Sequence, residues 1–199
     1  MKILTDDIYV ELKGQLSDKM SEKAFYNFCV RNKLARLERD GSGEITIRPL
    51  PGFMYSNINA ELCGELALWN RMHNKGVSFV SSAGFTLKDN SMLSPSGAWM
   101  KHKTWIDLPK KEKEKFASVC PEFIYELKTP SDNLTYLKNK MLKWIKNGCE
   151  LAWLINPDKQ QTHIYRSNGS IEILNGFDRK LSGENILPGF ELDLRLLSQ

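Results

Sequence analysis

No apolar run in this 199-residue chain approaches the ~20 residues that a membrane-spanning helix needs, which excludes a helical membrane protein. The N-terminus, Met-Lys-Ile-Leu-Thr-Asp-Asp, has acids where a secretory leader would carry its apolar stretch, so a cytoplasmic protein is expected. Cysteine is sparse. Cys29, Cys63, Cys120 and Cys149 show no paired spacing, and their apolar settings read as buried free thiols rather than zinc ligands or disulfides. The three histidines, His73, His102 and His163, have no ligand spacing and read as surface or packing residues. There is no internal repeat and no low-complexity linker, so a single domain spanning 1–199 is expected, with its core at about 53–156.

What is present is a balanced globular composition, 41% hydrophobic and 26% charged, with a net charge of only +4. The charge is concentrated. Between Lys128 and Lys146 lie five lysines (128, 138, 140, 143 and 146) against one acid after Lys128, Asp132. Such a patch attracts a phosphate backbone, but a solvated helix face carries the same run, and charge by itself leaves both open.

Periodicity supplies the elements. A helix capped by Ser21 comes first, then a hairpin of 35–40 with 44–48 around Gly41-Ser-Gly43. A helix over 53–74 carries Ile58, Leu62, Leu66, Trp69 and Met72 at helical spacing, with Gly76 as its stop. Short strands follow at 77–80, 85–88 and 98–100, then one charged helix over 104–117. An apolar strand at 122–128 leads into a helix from Asp132, read as its N-cap, to Asn147, with Gly148 beyond. The nearly all-apolar 151–155 reads as a central strand, and 162–166 pairs with 170–174 around Asn168-Gly169. The tryptophans read as core, although Trp144 could also stack on a base.

The chemistry concentrates at Pro121-Glu-Phe-Ile-Tyr-Glu-Leu-Lys128. Strand side chains alternate faces, so Glu126 and Lys128, two apart, project from the same face at the strand end. A carboxylate that holds a divalent cation beside an ammonium that orients water suits metal-assisted phosphodiester cleavage. A Glu-x-Lys on an edge strand serves solubility instead. Here apolar residues of both parities surround the pair, and charges ending an interior strand need a partner or a purpose.

Ser94-Pro-Ser-Gly-Ala-Trp-Met100, Cys120 to Asp132, Lys140-Met-Leu-Lys-Trp-Ile-Lys-Asn-Gly148 and Ala152-Trp-Leu-Ile-Asn-Pro157, with Arg36 to Glu44 and Asn59 to Leu62 upstream, resemble the Uma-type restriction endonuclease family of the PD-(D/E)XK nuclease superfamily. The resemblance implies an α/β protein with a restriction-endonuclease-like core: a mixed central sheet flanked by helices, with an extra N-terminal helix and hairpin and a C-terminal hairpin. It also implies Mg²⁺-dependent DNA cleavage, with Mn²⁺ as the alternative cation and a homodimer by analogy with nucleases that cut both strands. Residue by residue, it places Glu126 at the metal-binding carboxylate and Lys128 at the lysine of the Glu-x-Lys element. Many members carry the lysine on the next helix instead, where Lys140 matches. Glu44 falls at an acid after the first hairpin, and Glu61 is a weaker match to an acid on the preceding helix. Lys138, Lys140, Lys143 and Lys146 are expected to form a DNA-binding groove with Lys128 at its floor.

One position departs from the pattern. Ser96 stands where the resemblance expects the chief metal-binding aspartate, and a neutral hydroxyl is a poor ligand for a hard dication. The chain is then a decayed nuclease, an engineered inactive variant, or a site in which Glu44 or Asp89 substitutes. A non-catalytic DNA-binding module and a protein-interaction subunit on the same fold are the alternatives.

Overall fold

The computed structural model describes residues 2–5, 8–11, 20–33 and 35–198, the first two stretches by backbone alone. Asp6 and Asp7 of the acidic N-terminal reading lie outside the described residues. Strands β1 (Lys2–Thr5) and β2 (Ile8–Glu11) pair antiparallel. Helix α1 (Glu22–Arg31) is capped by Ser21, whose side chain accepts the Ala24 N–H. β3 (Arg36–Arg39) and β4 (Ile45–Arg48) form the first hairpin, and α2 (Phe53–His73) follows. Next come β5 (Gly76–Val80), β6 (Phe85–Thr86), β7 (Met92–Leu93) and β8 (Gly97–Lys101).

The chain then forms α3 (His102–Asp107), α4 (Lys110–Lys113), β9 (Phe123–Leu127), α5 (Leu134–Lys146) and β10 (Leu151–Asn156). It ends with β11 (Gln161–Arg166), β12 (Ile171–Asn175), β13 (Lys180–Ser182), β14 (Glu191–Asp193) and a 3-10 turn over Leu194–Leu197. The main sheet has six strands in the order β12-β11-β10-β9-β8-β5. It is mixed: β9 and β10 are parallel, joined through α5, and its other pairs are antiparallel. A second sheet has four strands in the order β4-β3-β7-β6.

Strand parity sorts the core into two layers. Phe123, Tyr125 and Leu127 of β9 join Leu151, Trp153 and Ile155 of β10 on the α2 face. Ile124, Ala152 and Leu154 face Leu137, Met141 and Trp144 of α5. Trp144 is thus a core residue, not a stacking platform. The α2 layer extends beyond the expected 53–156, because Phe177, Leu181, Leu187, Phe190, Leu192, Leu194 and Leu197 pack into it. Trp153 and Phe190 are nearly parallel, with ring centroids 6.0 Å apart.

Several expectations need correction. The helix over 104–117 is two short helices, because Pro109 holds Leu108 extended and breaks the hydrogen-bond ladder. Asn133, not Asp132, caps α5 by accepting the Tyr136 N–H; Asp132 instead binds Thr129 and Arg48. Helix α2 is ended by Asn74 in the left-handed region at φ 48°, ahead of Gly76. Met72 points to solvent. The strand at 85–88 is only two residues long, and β7 and the β13–β14 pair carried too few residues to stand out.

Candidate active site

Two strands and one helix meet at the carboxyl end of β9. The register Gly97–Tyr125 sets Ser96, one residue before β8, beside Glu126. Glu126 has the parity of Ile124, so it points at α5, and Ser96 has the parity of Ala98 and Met100, on the same face. Ser96 Oγ donates to Glu126 Oε2 over 3.4 Å and accepts the Leu127 N–H at 3.0 Å.

From α5, Lys140 enters from above. Leu137, Met141 and Trp144 bury one side of this helix, and Lys140 shares that side, with its side chain 2% exposed. An interior ammonium survives only with anionic partners. It has two. Nζ lies 2.5 Å from Glu126 Oε1 and 2.6 Å from Glu38 Oε1, and it donates to the Ser94 carbonyl at 3.0 Å. The contact with Glu126 is a close ion pair between two buried side chains.

Glu38 was not singled out in the sequence. It comes from β3, in the stretch Arg36-Leu-Glu-Arg, where alternation assigns it to a polar, solvent-facing side. The fold closes that side. Glu38 Oε1 also accepts the Ser94 N–H at 3.0 Å, and Tyr136 OH donates to Oε2 at 3.4 Å. Burial alone would raise its pKa, but the Lys140 and Arg48 charges and the Lys140 and Ser94 hydrogen bonds outweigh that and hold it below the ordinary carboxylate range. Arg48, also missed, ends β4 as a buried guanidinium 3.1 Å from Asp132. Burial would lower its pKa; Glu126, Glu38 and Asp132 raise it. Its Nη1 is buried with no hydrogen-bond partner among the described residues.

The other nominated residues lie elsewhere. Lys128 is one residue past the end of β9, its N–H still donating to the Ile155 carbonyl at 2.8 Å, and its ammonium is turned to the Thr129 carbonyl at 2.9 Å. Glu44 is exposed, at the mouth of a cavity of about 240 Å³ that Glu38, Lys140 and Lys143 also line. Asp89 accepts from the Ser91 N–H and hydroxyl. Glu61 is exposed on α2.

The four helix lysines do not form one strip. At about 100° per residue, Lys138 and Lys140 are on nearly opposite sides of α5. Lys138 faces β11, where burial and then its charge lower the pKa of His163, whereas Lys143 faces Asp40 and Asp89.

Glu126, Glu38 and Ser96 offer the oxygens that can hold a cation, and in this structure the Lys140 ammonium is the cation they surround. Glu126 Oε1 is a buried carboxylate oxygen already facing a cation, and Glu38 and the Ser96 hydroxyl add oxygen donors beside it. Among the described residues, no three His, Cys, Asp or Glu side chains cluster as a metal site, so two carboxylates and a hydroxyl are what the chain supplies.

A mixed sheet with one parallel pair joined through a helix, and buried acids at the strand ends, defines a mixed α/β fold with a polar cluster at one end of the sheet. The same fold occurs in the crystal structure of a putative nuclease belonging to DUF820 from Anabaena variabilis ATCC 29413, with a TM-score of 0.70 and 19% identity, over 81% of this chain and 89% of that one. The chain belongs to the Uma2 family, described as "Putative restriction endonuclease", which it matches over residues 23–195. No curated protein matches it. No helix among the described residues is long and apolar enough to cross a membrane.

Proposed function

We propose that the protein is a DNA endonuclease of the metal-dependent type, with Glu126 and Lys140 at its centre and its cation held weakly because Ser96 replaces a carboxylate. The observation that carries this reading is the convergence, on one face of the sheet, of Glu126, Ser96 and Lys140 from three separate elements. Glu126, Glu38 and the Ser96 hydroxyl are the groups that would hold Mg²⁺ or Mn²⁺. When bound, such an ion supplies a Lewis acid for the phosphoryl oxygen and lowers the pKa of a bound water.

The chain's own residues do the rest. Lys140, whose ammonium is held by Glu126, Glu38 and the Ser94 carbonyl in this structure, can offer its N–H donors to a phosphate oxygen or an attacking water once those acids turn to a bound ion. Ser96 ties the Leu127 backbone to Glu126 and so fixes the carboxylate's orientation. Arg48 adds a second buried positive charge on the Asp132 side. Lys128 and Glu44 sit outside this group and are proposed as contributors only if they move on binding. A homodimer would allow both strands to be cut.

Plasmid nicking tests the reading. The unchanged chain should nick slowly with Mg²⁺ or Mn²⁺. Ser96→Asp should raise the rate on the order of tenfold or more, because a second anionic ligand fixes the ion. Glu126→Ala in that background should abolish the gain, since the carboxylates act as a unit. If Ser96→Asp binds the ion and DNA yet no preparation cleaves, the DNA-binding alternative stands in place of catalysis.

A further inference from the structure

The position of Lys140 Nζ has the chemistry of a cation seat. Its neighbours are Glu126 Oε1 at 2.5 Å, Glu38 Oε1 at 2.6 Å and the Ser94 carbonyl at 3.0 Å. Two carboxylates and a carbonyl are the hard oxygen set that Mg²⁺ and Mn²⁺ prefer. The seat carries two negative charges and holds one positive charge, delivered by a side chain 2% exposed. The closest of the three partners is Glu126 Oε1, a carboxylate oxygen buried in the sheet, so the ammonium and the acid neutralise each other inside the fold.

An ammonium and a dication cannot share this space, since like charges a few ångströms apart in a low-dielectric interior repel strongly. There is somewhere for the lysine to go. The 240 Å³ cavity next to it is lined by Glu38, Asp40 and Glu44, and the Glu44 carboxylate is exposed there. Lys140 is itself part of that lining, so a rotamer change moves Nζ into it without unwinding α5.

We infer that Lys140 is the resident cation of a site formed by Glu38, Glu126 and the Ser94 carbonyl, and that a divalent ion enters only by displacing its ammonium toward Glu44. The site differs from one built on position 96, because Ser96 contributes no charge to it. It makes the lysine a competitor of the metal, so metal affinity and ion-pair strength are inversely linked. This inference rests on the metal-binding part of the reading above and is independent of whether DNA is cut.

Calorimetric titration with Mn²⁺ tests it in the full chain. Lys140→Met, similar in length and uncharged, should bind Mn²⁺ at least about tenfold more tightly than the unchanged protein, because the competing charge is gone. Lys140→Met with Glu126→Gln should lose that gain. In the absence of metal Lys140→Met should melt earlier, and Mn²⁺ should restore more of its melting temperature than it adds to the unchanged chain. Affinity that is equal or weaker in Lys140→Met overturns the inference, since a lysine that only orients water leaves metal affinity in place.

If Lys140→Met does not fold even with Mn²⁺, the unchanged chain decides. Its Lys140 Nζ resonance, in protein labelled with ¹⁵N-lysine, should move as Mg²⁺ binds, with the same midpoint as a calorimetric titration with Mg²⁺. A resonance that stays fixed while Mg²⁺ binds, or no binding of Mg²⁺ or Mn²⁺ at all, overturns it. Tight Mn²⁺ binding by Lys140→Met without nicking by any variant would remove the nuclease reading and leave the seat. Nicking gained in Ser96→Asp with unchanged affinity in Lys140→Met would do the reverse.

Discussion

At the scale of single residues, the site is a small set of buried charges whose cost is offset only by one another. Glu38 shows the consequence for pH. Its pKa is depressed in the folded chain, so the unfolded chain binds the proton more readily and folding stability rises with pH across that interval. The Glu38 contribution is fully present above the unfolded carboxylate pKa, about 4.3, and is lost as pH falls through the lower folded value. Urea unfolding of the unchanged chain between pH 6 and 3 should therefore show a steeper acid loss than Glu38→Gln does. At neutral pH Glu38→Gln should be destabilised by about 3 kcal/mol, because it removes one partner of a buried ion pair. Glu38 escaped the sequence reading because alternation in β3 gives parity and cannot say which side a second sheet will cover. Glu126 was legible, since apolar residues of both parities around it mark a strand covered on both faces.

At the scale of elements, two features have measurable costs. Asn133 caps α5, and Asn133→Ala should destabilise the protein by about 1 kcal/mol in chemical denaturation. Asp132, the expected cap, is instead occupied by Arg48 and the Thr129 N–H, a choice set by contact between β4 and the start of α5. Gly97 allows the close approach of β8 to β9. A Cβ there would stand 2.4 Å from a ring carbon of Tyr125, a residue whose hydroxyl meets Cys63 of α2 at 3.0 Å. Gly97→Ala should cost about 1–3 kcal/mol by overpacking and displace Ser96, its neighbour, from Glu126. A crystal structure of that variant with Ser96 unmoved would contradict the second half of this prediction. The break between α3 and α4 was readable from Pro109 and was overridden by the charge pattern around it.

At the scale of the whole molecule, the C-terminal residues complete the α2 layer. Phe190 stacks on Trp153 and also touches Trp69, so Phe190→Ala should destabilise by about 3–5 kcal/mol and shift the tryptophan emission to the red. The divergence of the helix lysines sets the expectation for DNA. Lys143→Ala, on the side of α5 that borders the site, should lower the slope of log affinity against log salt by about one. Lys138→Ala, facing β11, should leave that slope unchanged. Equal effects of the two would mean that the bound backbone crosses α5 in a way the present groove does not favour.

Local rules determined what depends on neighbours in the chain. The α2 and α5 periods, the apolar β9 and β10, the Asn168-Gly169 hairpin and the acid at 126 are all written in spacings of two to four residues, where covalent geometry decides which side chains share a face. The family resemblance extended this to the overall architecture and raised the expectation of a carboxylate where Ser96 stands. Only the tertiary structure decided which lysine meets Glu126, because Lys128 and Lys140 are equivalent as charges and differ in where the strand stops and the helix lands. It also brought Glu38 and the Ser94 carbonyl to the same ammonium, across 102 and 46 residues of chain. Contacts that distant are set by the packing of one sheet against another, for which a local pattern of residues carries no signal.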